Sequence, residues 1–268
     1  MVADSENSHP CRGLAEDLLP HDVAHHIASL LPVSDLCSLG STSRTWRDLC
    51  SSDRIWSTLS KDRWPAINLE ESQLLETTGK HEEKDEEAST ASMQVWKGVY
   101  VKWHREMADR AATVVKFVTE CSSHESLEVG DYLKAVKILC DLQLGFKDVQ
   151  LYIFTKENNV LLNLIGLHYS IFMLQVQTID IAEALCLCRV SNRRVCVRWW
   201  KLGRWVYGFR QRDEVRVNRV SLLDILKPEN QETLWVLERG VVHEVLRVQI
   251  STEDVQISGW EFNFQHLR

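Results

Sequence analysis

Residues 19–64 read LPHDVAHHIASLLPVSDLCSLGSTSRTWRDLCSSDRIWSTLSKDRW, and the spacing within them predicts a run of short helices. Leu19-Pro20 opens the run, and a proline suits the start of a helix because it has no N–H to leave unsatisfied. Val23, Ile27, Leu30 and Leu31 recur at helical spacing and make one apolar face. Pro32 ends that helix, since the residue before a proline is pushed out of the α region. Ser34 is placed to cap a second helix carrying Leu36 and Leu39, and Gly40-Ser41 breaks the chain again. Trp46 and Leu49 sit three apart on a third segment. Asp53 is placed to cap a fourth, with Ile55, Trp56 and Leu59.

These residues resemble the F-box family. The pattern runs Leu19-Pro20, Asp22, Ile27, Leu31-Pro32, Asp35-Leu36, Leu39, Arg44-x-Trp46-Arg47, Leu49, Asp53 and Trp56. Ser43 departs from it, standing near where the family often has cysteine or an apolar residue. The resemblance implies a three-helix module over residues 14–66 that docks on a Skp-type adaptor, and through it on the cullin and RING subunits of an SCF-type ubiquitin ligase. Leu19, Pro20, Ile27, Leu31, Pro32, Leu36, Leu39, Trp46 and Trp56 are the residues it carries over as the docking module. An ordinary helical subdomain would use the same Leu and Trp side chains only to fill its own core.

A hydrophobic content of 44% against 26% charged residues supports a real core. The net charge of -7 argues against a globally basic nucleic-acid binder. No apolar run is long enough to span a membrane. Residues 1–13 lack the apolar core of a secretory signal and are expected to be a flexible leader. Without such a signal, the eight cysteines are expected to be reduced thiols of a protein of the cytoplasm, the nucleus or both. Residues 67–92 contain HEEKDEE and few large apolar groups, as in a solvated acidic linker.

Beyond the linker the reading is α+β: a mainly helical part over 93–178 and a β-rich part over 179–268. A long helix starts at Gln94, with Trp96, Val99, Tyr100, Trp103, Met107, Val114 and Val118 near one face. A second covers Tyr132 to Leu142. FKDVQLYIF alternates like a strand, and NVLLNLIGLHYSIFML is open between buried helix and buried strand, with helix favoured through about Leu167. ALCLCRV and RVCVRWW are expected to form a hairpin around SNRR. Further strands are expected at RWVYGFR, EVRVNRV, TLWVLE, VVHEVLRVQI and WEFNF, with a turn at Glu238-Arg239-Gly240. VWKGVYVKWHREMADRAATVVKFV, GFKDVQLYIF, VLLNLIGLHYSI and WVLERG also resemble a plant class of F-box proteins. There is no kelch, leucine-rich or WD-type repeat.

Three constellations bear on chemistry. Cys186-x-Cys188 with Cys196 lacks a fourth zinc ligand, and His21 and His25 lie on the polar side of their helix, so neither metal nor cofactor is expected. No G-x-S-x-G elbow, P-loop or G-x-G-x-x-G marks an enzyme; a non-catalytic adaptor is expected, whose contribution is proximity. Between Arg189 and Arg219, ten basic residues face two acids, interleaved with Trp199, Trp200, Trp205, Tyr207 and Phe209. Arg198, Trp199, Trp200, Arg204 and Trp205 are the candidate substrate surface, suited to an acidic or phosphorylated target. The plainer alternative is a sheet with arginines on its wet face and aromatics inside. A scaffold acting outside a ligase and an RNA- or anion-binding module stay open beside the ligase-subunit reading.

Overall fold

The computed structural model describes residues 19–65, 95–122 and 125–252. They divide into two compact units, with the boundary between His104 and Arg105. The leader, the acidic linker and the WEFNF segment expected from sequence lie outside the described residues.

The N-terminal unit holds α1 (His21–Leu30), α2 (Val33–Gly40), α3 (Arg44–Cys50) and α4 (Asp53–Arg63), so the described residues 19–65 carry the four helical segments read from the spacing, one more than the three-helix module that the resemblance implied. The long α5 (Val95–Cys121) begins in this unit. Each boundary has a local cause. Pro20 C=O accepts from Val23 N–H and Ala24 N–H at 3.0 Å each. Leu31 is extended (φ -81, ψ 143), as a residue before proline must be. Pro32 rather than Ser34 stands at the N-cap of α2. Ser43, the departure from the family pattern, caps α3 by accepting from Trp46 N–H at 3.2 Å.

The core of this unit is Leu36, Leu49, Ile55, Trp56, Trp64 and Tyr100, all buried. Trp56 Nε1 donates to Cys50 C=O at 2.8 Å, and its ring meets Tyr100 edge-on at 5.2 Å between centroids. Asp53 does not cap α4; its carboxylate accepts from Trp96 N–H at 3.1 Å. Arg63 donates to Tyr100 Oη at 2.9 Å.

The C-terminal unit is α+β. Its four-stranded sheet has the order β1-β6-β2-β5, from β1 (Ser126–Glu128), β2 (Arg194–Lys201), β5 (Glu214–Ser221) and β6 (Val245–Thr252). All its pairings are antiparallel, with Val197 opposite both Asn218 and Ile250. Between β2 and β5 lies a separate two-stranded hairpin, β3 (Trp205–Val206) and β4 (Phe209–Arg210). The helices are α6 (Val129–Asp141), α7 (Phe146–Asp148), α8 (Val160–His168), α9 (Thr178–Leu187) and α10 (Gln231–Arg239).

Three segments correct the reading from sequence. FKDVQLYIF is not a strand: α7 continues into a π-turn over Val149–Ile153, with Phe154 N–H bonded to Val149 C=O at 2.9 Å. Val149 and Ile153 are buried and Leu151 is exposed, which is helical phasing and the opposite of alternation. ALCLCRV is not half of a hairpin, since α9 buries Ile181, Ala184 and Leu185 and leaves Leu187 exposed. TLWVLE is α10, burying Thr233, Val236 and Leu237. The expected turn at Glu238-Arg239-Gly240 is that helix's last turn, closed by Gly240 at φ 66. Every residue of α8 is buried, and a helix enclosed on all sides shows no period to read. A side chain at Gly166 would put its Cβ 2.6 Å from Ile153 Cγ2, so the glycine lets α8 and the π-turn pack closely.

Where α6 meets α8, Tyr132 Oη lies 3.0 Å from His168 Nδ1, and burial pushes the His168 imidazole from 6.5 down to about 4. The folded chain therefore keeps this ring neutral where the unfolded chain protonates it. Its contribution to stability is complete above about pH 6.5 and is lost as pH falls from there towards 4, amounting to about 3 kcal/mol. Urea unfolding at about pH 7 and about pH 4.5 should show the wild type losing about 2–3 kcal/mol more than His168→Gln. Equal losses in the two proteins would refute a buried neutral ring.

Candidate functional site

The first candidate site is the outer surface of α1 and its junction with α2. The sequence predicts an apolar face of Val23, Ile27, Leu30 and Leu31, of which Ile27 and Leu31 belong to the implied docking set. The structure turns it outward. Helix α1 seats its small side chains, Ala24 and Ala28, on the rest of the unit, while Val23, Ile27 and Leu30 are 45%, 41% and 71% exposed. Leu19, Pro20 and Pro32 are exposed beside them and Leu31 is half-buried. Of the remaining residues singled out from sequence, Leu36 and Trp56 are core, and Leu39 and Trp46 are half-buried. The set therefore splits into an interior that builds the helices and a rim of large aliphatic groups left in water. Covering the part that each still exposes is worth roughly 0.5–2 kcal/mol.

The polar side of α1 carries His21 and His25, with ring centroids 6.5 Å apart. Among the described residues no group of three His, Cys, Asp or Glu side chains could hold a metal ion. Cys186 and Cys188 end a helix and do not share a sheet face with Cys196. Burial pushes the Cys188 thiol up, and its Sγ lies against Gln150 C=O at 3.6 Å.

The sequence profile of F-box-like domains matches residues 17–62. Residues 17–62 are an F-box-like domain. A curated relative, F-box only protein 24 of Mus musculus, is 30% identical over 67 residues, which is 25% of this chain and 11% of the mouse protein. No solved structure matches the chain. F-box domains in general bind Skp-type adaptors of SCF-type ubiquitin ligases, and the proteins that carry them are in general non-catalytic adaptors. The outward rim of α1 thus belongs to the F-box-like domain, and so do the core residues Leu36 and Trp56.

The second candidate site is the Arg/Trp-rich sheet of the C-terminal unit, and here the structure regroups the residues. Arg198 and Trp200 share one face of β2, half-buried, with the Arg198 guanidinium carbon 5.9 Å from the Trp200 ring and that of Arg247 5.1 Å from it. Trp199 points the other way into the core. Arg193 is no surface cation: its Nη1 donates to Asn158 C=O and to Asn163 Oδ1 at 2.6 Å each.

Much of the basic charge is met by carboxylates from outside the basic run. Arg204 pairs with Glu244 at 3.3 Å, and Lys201 and Arg216 pair with Glu232 at 2.9 and 2.8 Å; beyond the run, Arg247 pairs with Glu128. Arg210 pairs with Asp213 at 2.8 Å. Four cations of the run, Lys201, Arg204, Arg210 and Arg216, are thus held in ion pairs, each worth little at such exposure. Trp205 is exposed and remains a candidate contact. Its neighbours Val206, Tyr207 and Phe209 are exposed with it and were not singled out for binding from sequence. The available signal was a two-residue Tyr-Gly turn between apolar residues.

Proposed function

We propose that this chain is a substrate-recruiting subunit of an SCF-type ubiquitin ligase. Its F-box-like domain docks on a Skp-type adaptor, which brings the cullin and RING subunits, and its C-terminal α+β unit binds the target protein. The observation that carries this reading is the outward apolar rim of Leu19, Val23, Ile27 and Leu30 on an otherwise well-filled helical unit. A helix that only completed its own fold would turn its large aliphatic groups inward and its alanines out. The chain's contribution to the reaction is then geometric: a target lysine held near a charged conjugating enzyme reacts at a raised effective concentration.

Binding of a purified Skp-type adaptor to the full chain and to Ile27→Arg tests this. A charge forced into an apolar contact costs several kcal/mol, so the variant should bind at least ~100-fold more weakly. Its melting temperature should stay close to the wild type, because Ile27 is already 41% exposed in the free protein. A folded wild type that ignores the adaptor, or an Ile27→Arg variant that binds like wild type, would falsify the assignment. The ion pairs that hold Lys201, Arg204, Arg210 and Arg216 weigh against the RNA-binding alternative, which needs free cations along a phosphate chain.

A further inference from the structure

The β3–β4 hairpin is a structure without a core. Tyr207 at φ 49 and Gly208 at φ 83 form the two-residue turn, which matches the twist of the flanking strands. Trp205 lies opposite Arg210 and Val206 opposite Phe209, so the two pairs face opposite sides. Neither side is covered: Trp205, Tyr207 and Phe209 are 73%, 97% and 80% exposed. Two-stranded hairpins in water are marginal by themselves, and this one is held at its base. Gln211 N–H bonds Arg204 C=O at 2.8 Å, and Gly203 N–H bonds Asp213 Oδ1 at 2.9 Å. The Gly203 N–H, together with Arg210, keeps the Asp213 carboxyl below its ordinary range. Gly203 is required there, because a Cβ would fall 1.9 Å from Gln211 C=O. The backbone is thus organised to present three aromatic rings that lie mostly in water.

Charge indicates what covers them. The stretch from Lys201 to Arg212 has four cations and no acid of its own; Lys201 is held by Glu232, and Arg212 has no carboxylate partner among the described residues. Arg204 and Arg210 are each held by one exposed carboxylate, and a ligand carboxylate is chemically equivalent to the groups they already hold. A phosphate backbone would ask for a line of free guanidiniums, whereas an acidic peptide needs apolar anchors and a few cations at the rim.

We propose that this hairpin is the docking element for an acidic segment of a partner protein, one that also carries aromatic or large aliphatic side chains to pack on Trp205 on one side of the hairpin and on Phe209 on the other, around the Tyr207 turn. The proposal rests on the reading of the C-terminal unit as the target-binding part. The test is selection from a displayed library of random peptides of about twelve residues on the full chain, followed by affinity measurements with synthetic copies. Enriched peptides should combine Asp or Glu with Phe, Trp or Leu. The triple variant W205A/Y207A/F209A should bind them at least ~30-fold more weakly and Arg212→Glu ~5-fold or more. The triple variant should melt like wild type, because the rings it removes are exposed. Enriched peptides without acids, undiminished binding by the triple variant, or binding of single-stranded RNA in place of peptides would each overturn the proposal. Adaptor binding is measured on the same samples: its absence from the wild type counts against the ligase assignment and leaves the peptide result to judge the hairpin.

Discussion

Trp56→Ala is expected to unfold the F-box-like domain. The ring is buried, so its removal costs about 3–5 kcal/mol in lost transfer energy and cavity. Cys50 C=O, which accepts from Trp56 Nε1, loses that donor at a further cost of about 1 kcal/mol. Tyr100 loses the partner that meets it edge-on. Units this small bury a modest fraction of their surface and have little stability to spare, so a loss of this size removes the folded state. Amide hydrogen exchange should show α1–α4 losing protection in the variant, with adaptor binding lost in parallel. Trp56→Phe, which keeps most of the ring and removes the N–H, should lose only about 1–2 kcal/mol. Retained protection of α1–α4 in Trp56→Ala would mean that the core does not depend on this residue.

The second large effect is expected at Asn163, which is fully buried in the middle of α8. Its Nδ2 donates to Ile153 C=O at 2.7 Å and to Thr155 C=O at 3.2 Å, and its Oδ1 accepts from Arg193 at 2.6 Å. One side chain therefore satisfies the end of the π-turn and holds a guanidinium that burial has made less basic. Asn163→Leu preserves the volume and removes all three bonds. Leaving these groups short of partners should cost about 3–5 kcal/mol. Urea unfolding measures it, with Asn159→Ala as the comparison. Asn159 caps α8 through Leu161 N–H, and losing a cap costs about 1 kcal/mol. A loss for Asn163→Leu no greater than for Asn159→Ala would show that the network is dispensable.

Legibility followed the range of the physics. The helices of the F-box-like domain could be read because their limits are set by neighbours in the chain: Pro32 acts on Leu31, and Ser43 on Trp46. Which face of α1 is outward could not be read from periodicity, since an apolar stripe is the same stripe whether it meets a core or a partner. The resemblance supplied that residue set, and burial sorted it. TLWVL and ALCLC fail as strands for a different reason. Five apolar or β-branched residues in a row fit both periods, and tertiary packing against the sheet makes α10 a helix. The ion pairs of the basic run could not be read from sequence, because two of the acids that answer it, Glu232 and Glu244, lie outside the run.

The pairing of β1 with β6 has a consequence for the order in which the protein is made. Arg247 on β6 reaches back to Glu128 on β1 across 119 residues of sequence. The edge strand therefore has no partner to join until the ribosome has released nearly all of the C-terminal unit. The F-box-like domain, built from near neighbours, can fold while that unit is still emerging. During this interval β1 and β2 lack their shared neighbour, and the apolar residues that β6 later covers are open to other nascent chains. Protein arrested before Val245 should keep a competent adaptor-binding part attached to an unfinished sheet.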